Sequence, residues 1–242
     1  MTRVPTEAEI DAMSEEELEE YLSRASQHDS AMSELIGPSG QEPEAGWLQR
    51  SGAPRSYGLL LLICSAIGGL ACWQLIRSQI QLLKEPLADL TCDLNPLVAC
   101  GDTLNVWQGN LLGVPNSFVG AMAFAALAAI GALLLSGVRL PRWIWWALSA
   151  GCAGGIAFVA WFLTISVVTF AKLCPYCMVI WAVTIPVAVN TWAWAALGGH
   201  LGLSREVAGT LAGQRWWITG LLYLMVVLVI VVAFWNQWMA LL

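Results

Sequence analysis

At 242 residues, 58% hydrophobic and 12% charged, with 14 tryptophans, the sequence lies outside the soluble globular range and points to an integral membrane protein. The net charge of −6 is a local property, because twelve of the 17 acidic residues fall in the first 50 positions. No basic cluster points to nucleic acid, and neither histidine, His28 or His200, is near a cysteine pair, which argues against a His-containing metal or haem site.

Residues 1–55 read as an acidic, partly disordered tail and 56–242 as a transmembrane domain. Within the tail, "SEEELEEYLSRA" opens with Ser14 and places Glu17 three residues later, the spacing of a capping box on a short helix. The following "IGPSGQEPEAG" reads as a linker. With no apolar signal region in the tail, the first span is expected to act as the targeting signal.

Five apolar segments are each long enough to cross a bilayer, at 57–77, 116–137, 143–171, 174–197 and 216–240. They predict an all-α bundle with one long connection, 78–115, and shorter ones elsewhere. Span 3 is longer than a bilayer needs and is expected to tilt or project. Its Gly151, Gly154 and Gly155 predict close helix contact. Trp143, Trp145, Trp146, Trp216 and Trp217 stand at segment ends, as aromatic belts do.

Arg50, Arg55, Arg139, Arg142, Arg205 and Arg215 fall on one side of this topology, and Arg77, Lys84 and Lys172 on the other. The richer side is expected to be cytoplasmic, together with the N-terminal tail. Whichever way the bundle points, the connections after spans 1 and 3 share a face. The first carries Cys92 and Cys100, and the second carries Cys174 and leads to Cys177. Four cysteines therefore gather at one membrane face, expected to be extracytoplasmic, where disulfides persist.

Of the seven cysteines, Cys64, Cys72 and Cys152 lie within spans and read as small apolar packers. In "KLCPYCMVIW", Pro175 suits the first helical position, which makes Cys174 the N-cap and Cys177 the third residue of span 4. Free N–H groups and the helix dipole there favour a thiolate. The bland alternatives are structural disulfides or a four-cysteine zinc site. The seven residues between Cys92 and Cys100 fit a loop disulfide better than a zinc knuckle. Two dithiols on one face suggest a relay by thiol–disulfide exchange, from a soluble protein to a lipid-soluble two-electron acceptor such as a quinone.

The segments "CDLNPLVACGDTLNVWQGNLLGVPNSFVG" (92–120) and "LCPYC" (173–177), with a helical pair between them, resemble the vitamin K epoxide reductase family, and specifically its bacterial members that support disulfide-bond formation. The resemblance spans nearly all of 57–197. It implies a four-helix core around a quinone, with span 5 as an extra helix. It also implies that Cys92 meets a redox partner, that Cys100 links to Cys174 during transfer, and that Cys177 reduces the quinone. Asn116 matches an asparagine that hydrogen-bonds a quinone carbonyl, although on position alone the N-cap of span 2 is the stronger reading.

Two positions depart from the family. The serine or threonine often found after the second loop cysteine has only Thr103 and Asn105 as counterparts. The tyrosine often found four residues after the second helix cysteine is Trp181, which can donate a hydrogen bond but cannot act as an acid like phenol. Residues 101–112, with Leu104, Val106, Trp107, Leu111 and Leu112, are expected to cover the pocket.

The activity implied is reoxidation of a thioredoxin-fold thiol oxidase of the DsbA type, with menaquinone or ubiquinone as acceptor and no metal. Many bacterial members carry a fused thioredoxin-like domain. The sequence ends soon after span 5, so the partner is expected to be a separate protein. The alternatives are quinone-epoxide reduction by the same cysteines, or a membrane scaffold with structural disulfides or zinc.

Overall fold

A computed structural model describes residues 53–85, 90, 92–93, 98–104, 106–111, 113–235 and 239, together with Ser14 and Glu17. The chain divides into two units, Met1–Gly46 and Trp47–Leu242. In the first, Glu17 N–H donates to Ser14 Oγ at 3.4 Å and Ser14 N–H to Glu17 Oε2 at 3.1 Å, the reciprocal pair expected of a capping box. The rest of that expected helix, and the linker after it, lie outside the described residues.

The second unit is helical, and five of its helices are long and apolar enough to cross a membrane. They are α1 (Arg55–Lys84), α3 (Asn116–Leu135), α4 (Arg142–Ile165), α5 (Pro175–Leu197) and α6 (Arg205–Ala233). A one-turn α2 (Gly101–Leu104) and a 3₁₀ turn (Trp107–Asn110) lie in the long connection. The protein is thus an all-α, multi-pass membrane protein, as its composition requires.

Proline sets most of the entries: Pro54, Pro115 and Pro141 precede α1, α3 and α4, and Pro175 is the first residue of α5. Ser204 caps α6 through its hydroxyl, which accepts from Val207 N–H. At the end of α3, Gly137 takes φ +81°, and Gly137 and Val138 N–H groups bond back to the carbonyls of Leu134 and Leu133.

Two spans differ in extent from the apolar windows. α1 continues to Lys84 because Ser78 and Gln79 are buried against protein, so their polarity does not end the helix. α6 begins at Arg205, where Ser204 caps it, well before its apolar stretch. Span 3 ends as a π-helical turn, Ser166–Phe170, followed by Ala171 at φ 50°. Its surplus length turns the chain toward Cys174.

α5 is the centre of the bundle and packs on α1, α4 and α6, while α1 also packs closely on α3. Trp143, Trp146, Trp216 and Trp217 are exposed on the surface as expected. Trp145 is not, because it lies stacked between the rings of Tyr57 and His200 in the core. Tyr57 in turn shares a 2.9 Å hydrogen bond with Thr191 of α5, which satisfies its hydroxyl away from water.

The expected close contact at the span-3 glycines is corrected by the structure. A Cβ on Gly151 or Gly154 would meet nothing within 4 Å, and one on Gly155 would only touch Thr184 Cγ2 at 3.4 Å. These glycines instead line a cavity of about 720 Å³ between α3 and α4, closed at the back by α1 and α5.

Candidate active site

The long connection is tied to the start of α5 by backbone. Val98 and Leu173 form a parallel bridge, in which Ala99 N–H donates to the Leu173 carbonyl at 3.1 Å. Asp93 shapes the loop from within: its carboxylate accepts the N–H groups of Cys100 at 2.8 Å and Gly101 at 3.4 Å. Cys92 and Cys100 form a disulfide with their Cα atoms 5.8 Å apart. The disulfide occupies two of the four sulfurs that a zinc site would need as thiolates.

The four cysteines predicted to share a face do so. Cys100 Sγ lies 3.2 Å from Cys174 Sγ, across 74 residues of sequence. Cys174 and Cys177 stand as free thiols. Cys174 is the N-cap of α5 and Cys177 its third residue, as the Pro175 spacing predicted, and Cys177 N–H points to Cys174 Sγ at 3.5 Å. The Cys174 thiol is held below the ordinary thiol range, first by the hydrogen bond from the Cys177 side chain. Burial pushes it the other way, the backbone N–H groups of Cys177 and Tyr176 reinforce the lowering, and the Asp93 carboxylate opposes it.

The loop disulfide is covered. Cys92 is 1% and Cys100 0% exposed, beneath Leu75, Leu82, Leu90 and Leu104. Cys177 touches this cysteine cluster and also the cluster of Val159, Phe162, Leu163 and Trp181, and it lines the cavity. It is thus the one cysteine of the four, all of them described, that contributes to the cavity wall.

Asn116 lies at the cavity, but not as a helix cap. Pro115 occupies the N-cap of α3, and the Asn116 amide reaches back over the connection: Oδ1 accepts Leu111 N–H at 3.1 Å, and Nδ2 donates to the Gln108 carbonyl at 2.6 Å. One Nδ2 proton is left for another acceptor. Trp181 is 3% exposed and also lines the cavity.

Of the residues expected to cover this end, Leu104 and Leu111 line the cavity, with Gly109 beside them, whereas Val106 and the 67% exposed Trp107 do not. Leu112 and Asn105 lie outside the described residues, as does the side chain of Thr103. Sequence reasoning missed Gln79 and Asn110. Gln79 Nε2 donates to the Leu104 carbonyl and to Asn110 Oδ1, each at 3.2 Å, and Asn110 Nδ2 donates to the carbonyls of Leu104 and Val106. Gln79 was detectable in principle, as a polar side chain at the end of a long apolar helix.

A family model, described as the Vitamin K epoxide reductase family, matches residues 59–192, more than half of the chain. The chain belongs to the vitamin K epoxide reductase family. Searches of curated proteins and of solved structures returned no match. Vitamin K epoxide reductase family proteins are membrane oxidoreductases linked in general to quinones, and this one is an oxidoreductase with membrane-spanning helices and a disulfide.

The cavity suits such an acceptor. A quinone presents a flat apolar ring with carbonyl oxygens that accept hydrogen bonds. The cavity wall is almost entirely apolar, and Gln79, Asn116 and Ser117 stand at its cysteine end. There Asn116 has its spare N–H, and Ser117 Oγ is buried with no hydrogen-bond partner, a donor whose demand a carbonyl oxygen would meet.

Proposed function

We propose that the protein passes two electrons from a thioredoxin-fold dithiol protein of the DsbA type, through its two cysteine pairs, to a membrane quinone, and so supports disulfide-bond formation in secreted proteins. The observation that carries this reading is the position of Cys177, in contact with the cysteine cluster on one side and the cavity on the other. On the same reading the arginine-rich connections and the acidic segment 1–55 face the cytoplasm, and the cysteine face is extracytoplasmic.

The partner thiolate attacks Cys92, breaking the Cys92–Cys100 bond and leaving Cys100 as a thiolate. The partner's second thiol displaces Cys92 and leaves as a disulfide. Cys100 then attacks Cys174 of the helix disulfide, and Cys177 departs as a thiolate. Attack of Cys92 on Cys100 restores the loop disulfide and releases Cys174 where the α5 cap stabilises its negative charge. A bonded loop pair beside free Cys174 and Cys177 thiols is the product of that sequence.

A quinone bound in the cavity supplies the two-electron, two-proton acceptor. Cys177 closes onto Cys174 as the electrons leave, while Asn116 and Ser117 orient a carbonyl oxygen and Trp181 forms part of the wall. Because Cys92 is buried, entry of the partner requires Leu82, Leu90 and Leu104 to part from the loop pair.

The test is a Cys→Ala series at 92, 100, 174 and 177 in membranes, scored for quinone reduction and for trapped mixed disulfides with the partner. Cys177→Ala is expected to abolish quinone reduction, with a loss on the order of 10³-fold or more. It should still allow a partner–Cys92 adduct. Intact quinone reduction in Cys177→Ala would overturn the reading.

A further inference from the structure

The family match ends at residue 192, and α6 lies wholly beyond it. Only 6% of the most apolar stretch of α6 is buried, so it is not part of the core, and its close packing is on α5. It meets α5 and the turn before it at two separated points. Pro186, inside α5, has no N–H to give the Ala182 carbonyl one turn earlier. A bare carbonyl is costly in hydrocarbon. The Tyr223 hydroxyl of α6 donates to that carbonyl.

Eleven residues further along, Phe234 is 1% exposed against Leu173, in a cluster that includes Val98, Met178 and Ile230. Leu173 precedes Cys174, and its carbonyl holds the loop at Ala99. Between the two anchors lie Cys174, Cys177 and Trp181, which α5 and its cap bring to the site. Val226 and Ile230 also pack against the cluster that contains Trp181.

We infer that α6 is a splint for α5, with Tyr223 and Phe234 as positioning residues that hold the Cys174–Trp181 turn in register with Cys100 and the cavity. A proline in a helix leaves the segments on either side free to bend relative to each other. The Tyr223 hydroxyl replaces the missing backbone bond from the neighbouring helix. The inference rests on the proposed relay for its consequence in turnover, but not for its geometry.

The experiment uses the full chain in lipid nanodiscs and compares Tyr223→Phe, Pro186→Ala and the double variant. Pro186→Ala restores an N–H at position 186, so the Ala182 carbonyl no longer depends on Tyr223. Tyr223→Phe is expected to lower kcat for quinone reduction about tenfold with KM nearly unchanged. The double variant should return to within about twofold of Pro186→Ala alone. A double variant as impaired as Tyr223→Phe overturns the splint.

A second readout, the alkylation rate of Cys177 in the reduced protein, needs no quinone. It should change in Tyr223→Phe and recover in the double variant. Absence of quinone reduction in the unaltered protein would defeat the relay while leaving the alkylation comparison to decide the splint. Equal alkylation rates in all variants would defeat the splint alone. If Tyr223→Phe does not accumulate, recovery of folded protein in the double variant supports the splint, and failure to recover overturns it.

Discussion

Two helix seams in this bundle use glycine in opposite ways. Between α1 and α3, a Cβ on Gly131 would stand 2.9 Å from the Gly58 carbonyl oxygen, and one on Gly58 3.1 Å from the Gly131 carbonyl oxygen. Backbone meets backbone there, and nothing larger fits. Between α3 and α4, Gly151 and Gly154 face open space and line the cavity. A small residue in a membrane helix removes volume, and the opposing helix decides whether that volume becomes contact or void. One seam holds the bundle together, and the other leaves room for a ligand.

Substitutions should separate these roles. The largest effect is expected at the closed seam. Gly131→Ala puts a methyl group against a backbone oxygen that cannot swing aside, so it should destabilise the protein by about 1–3 kcal/mol. The check is the thermal unfolding midpoint in detergent, and an unchanged midpoint would contradict the packing. At the open seam, Gly154→Leu should leave that midpoint nearly unchanged, because its side chain enters space. It should raise KM for the quinone by about tenfold in steady-state reduction assays. Loss of folding in Gly154→Leu together with normal folding in Gly131→Ala would reverse the comparison.

The smallest effect separates the chemistry from both seams. The Cys174 pKa is lowered, so its thiolate persists below the ordinary thiol range and is lost as pH falls through the lowered value. The rate of Cys174 alkylation in the reduced protein should therefore decline at a lower pH than for a free thiol, with the same midpoint in Gly131→Ala and Gly154→Leu. A midpoint at the ordinary thiol value would mean that the cap and the Cys177 hydrogen bond do not stabilise the thiolate.

What could be read from the sequence follows the physics of each feature. Five spans were legible because hydrocarbon thickness sets a length that composition reveals. The gathering of Cys92, Cys100, Cys174 and Cys177 followed from topology alone, and the Cys174 cap from the fixed φ of Pro175. The end of α1 was not legible, because a hydropathy window cannot tell a polar residue facing protein from one facing water. Gln79 and Asn110 were missed for the same reason. Trp145 was misplaced because its position in a span does not say which face meets Tyr57 and His200. Position alone favours Asn116 as the cap of span 2, beside the quinone contact that the family resemblance implies, whereas Pro115 takes the cap and frees the amide to hold the cover.

The parallel bridge between Val98 and Leu173 is a single patch of backbone pairing, yet it holds the two cysteine-bearing segments side by side. Sulfur-to-sulfur exchange requires contact, and misplacement by about 1 Å can slow a reaction on the order of a hundredfold. Here a 3.2 Å gap is spanned by segments 74 residues apart. Main-chain pairing one residue before each sulfur holds the two segments together, with Ala99 N–H on the Leu173 carbonyl. On the proposed relay, the bridge holds the transfer contact in place, and parting Val98 from Leu173 would interrupt it.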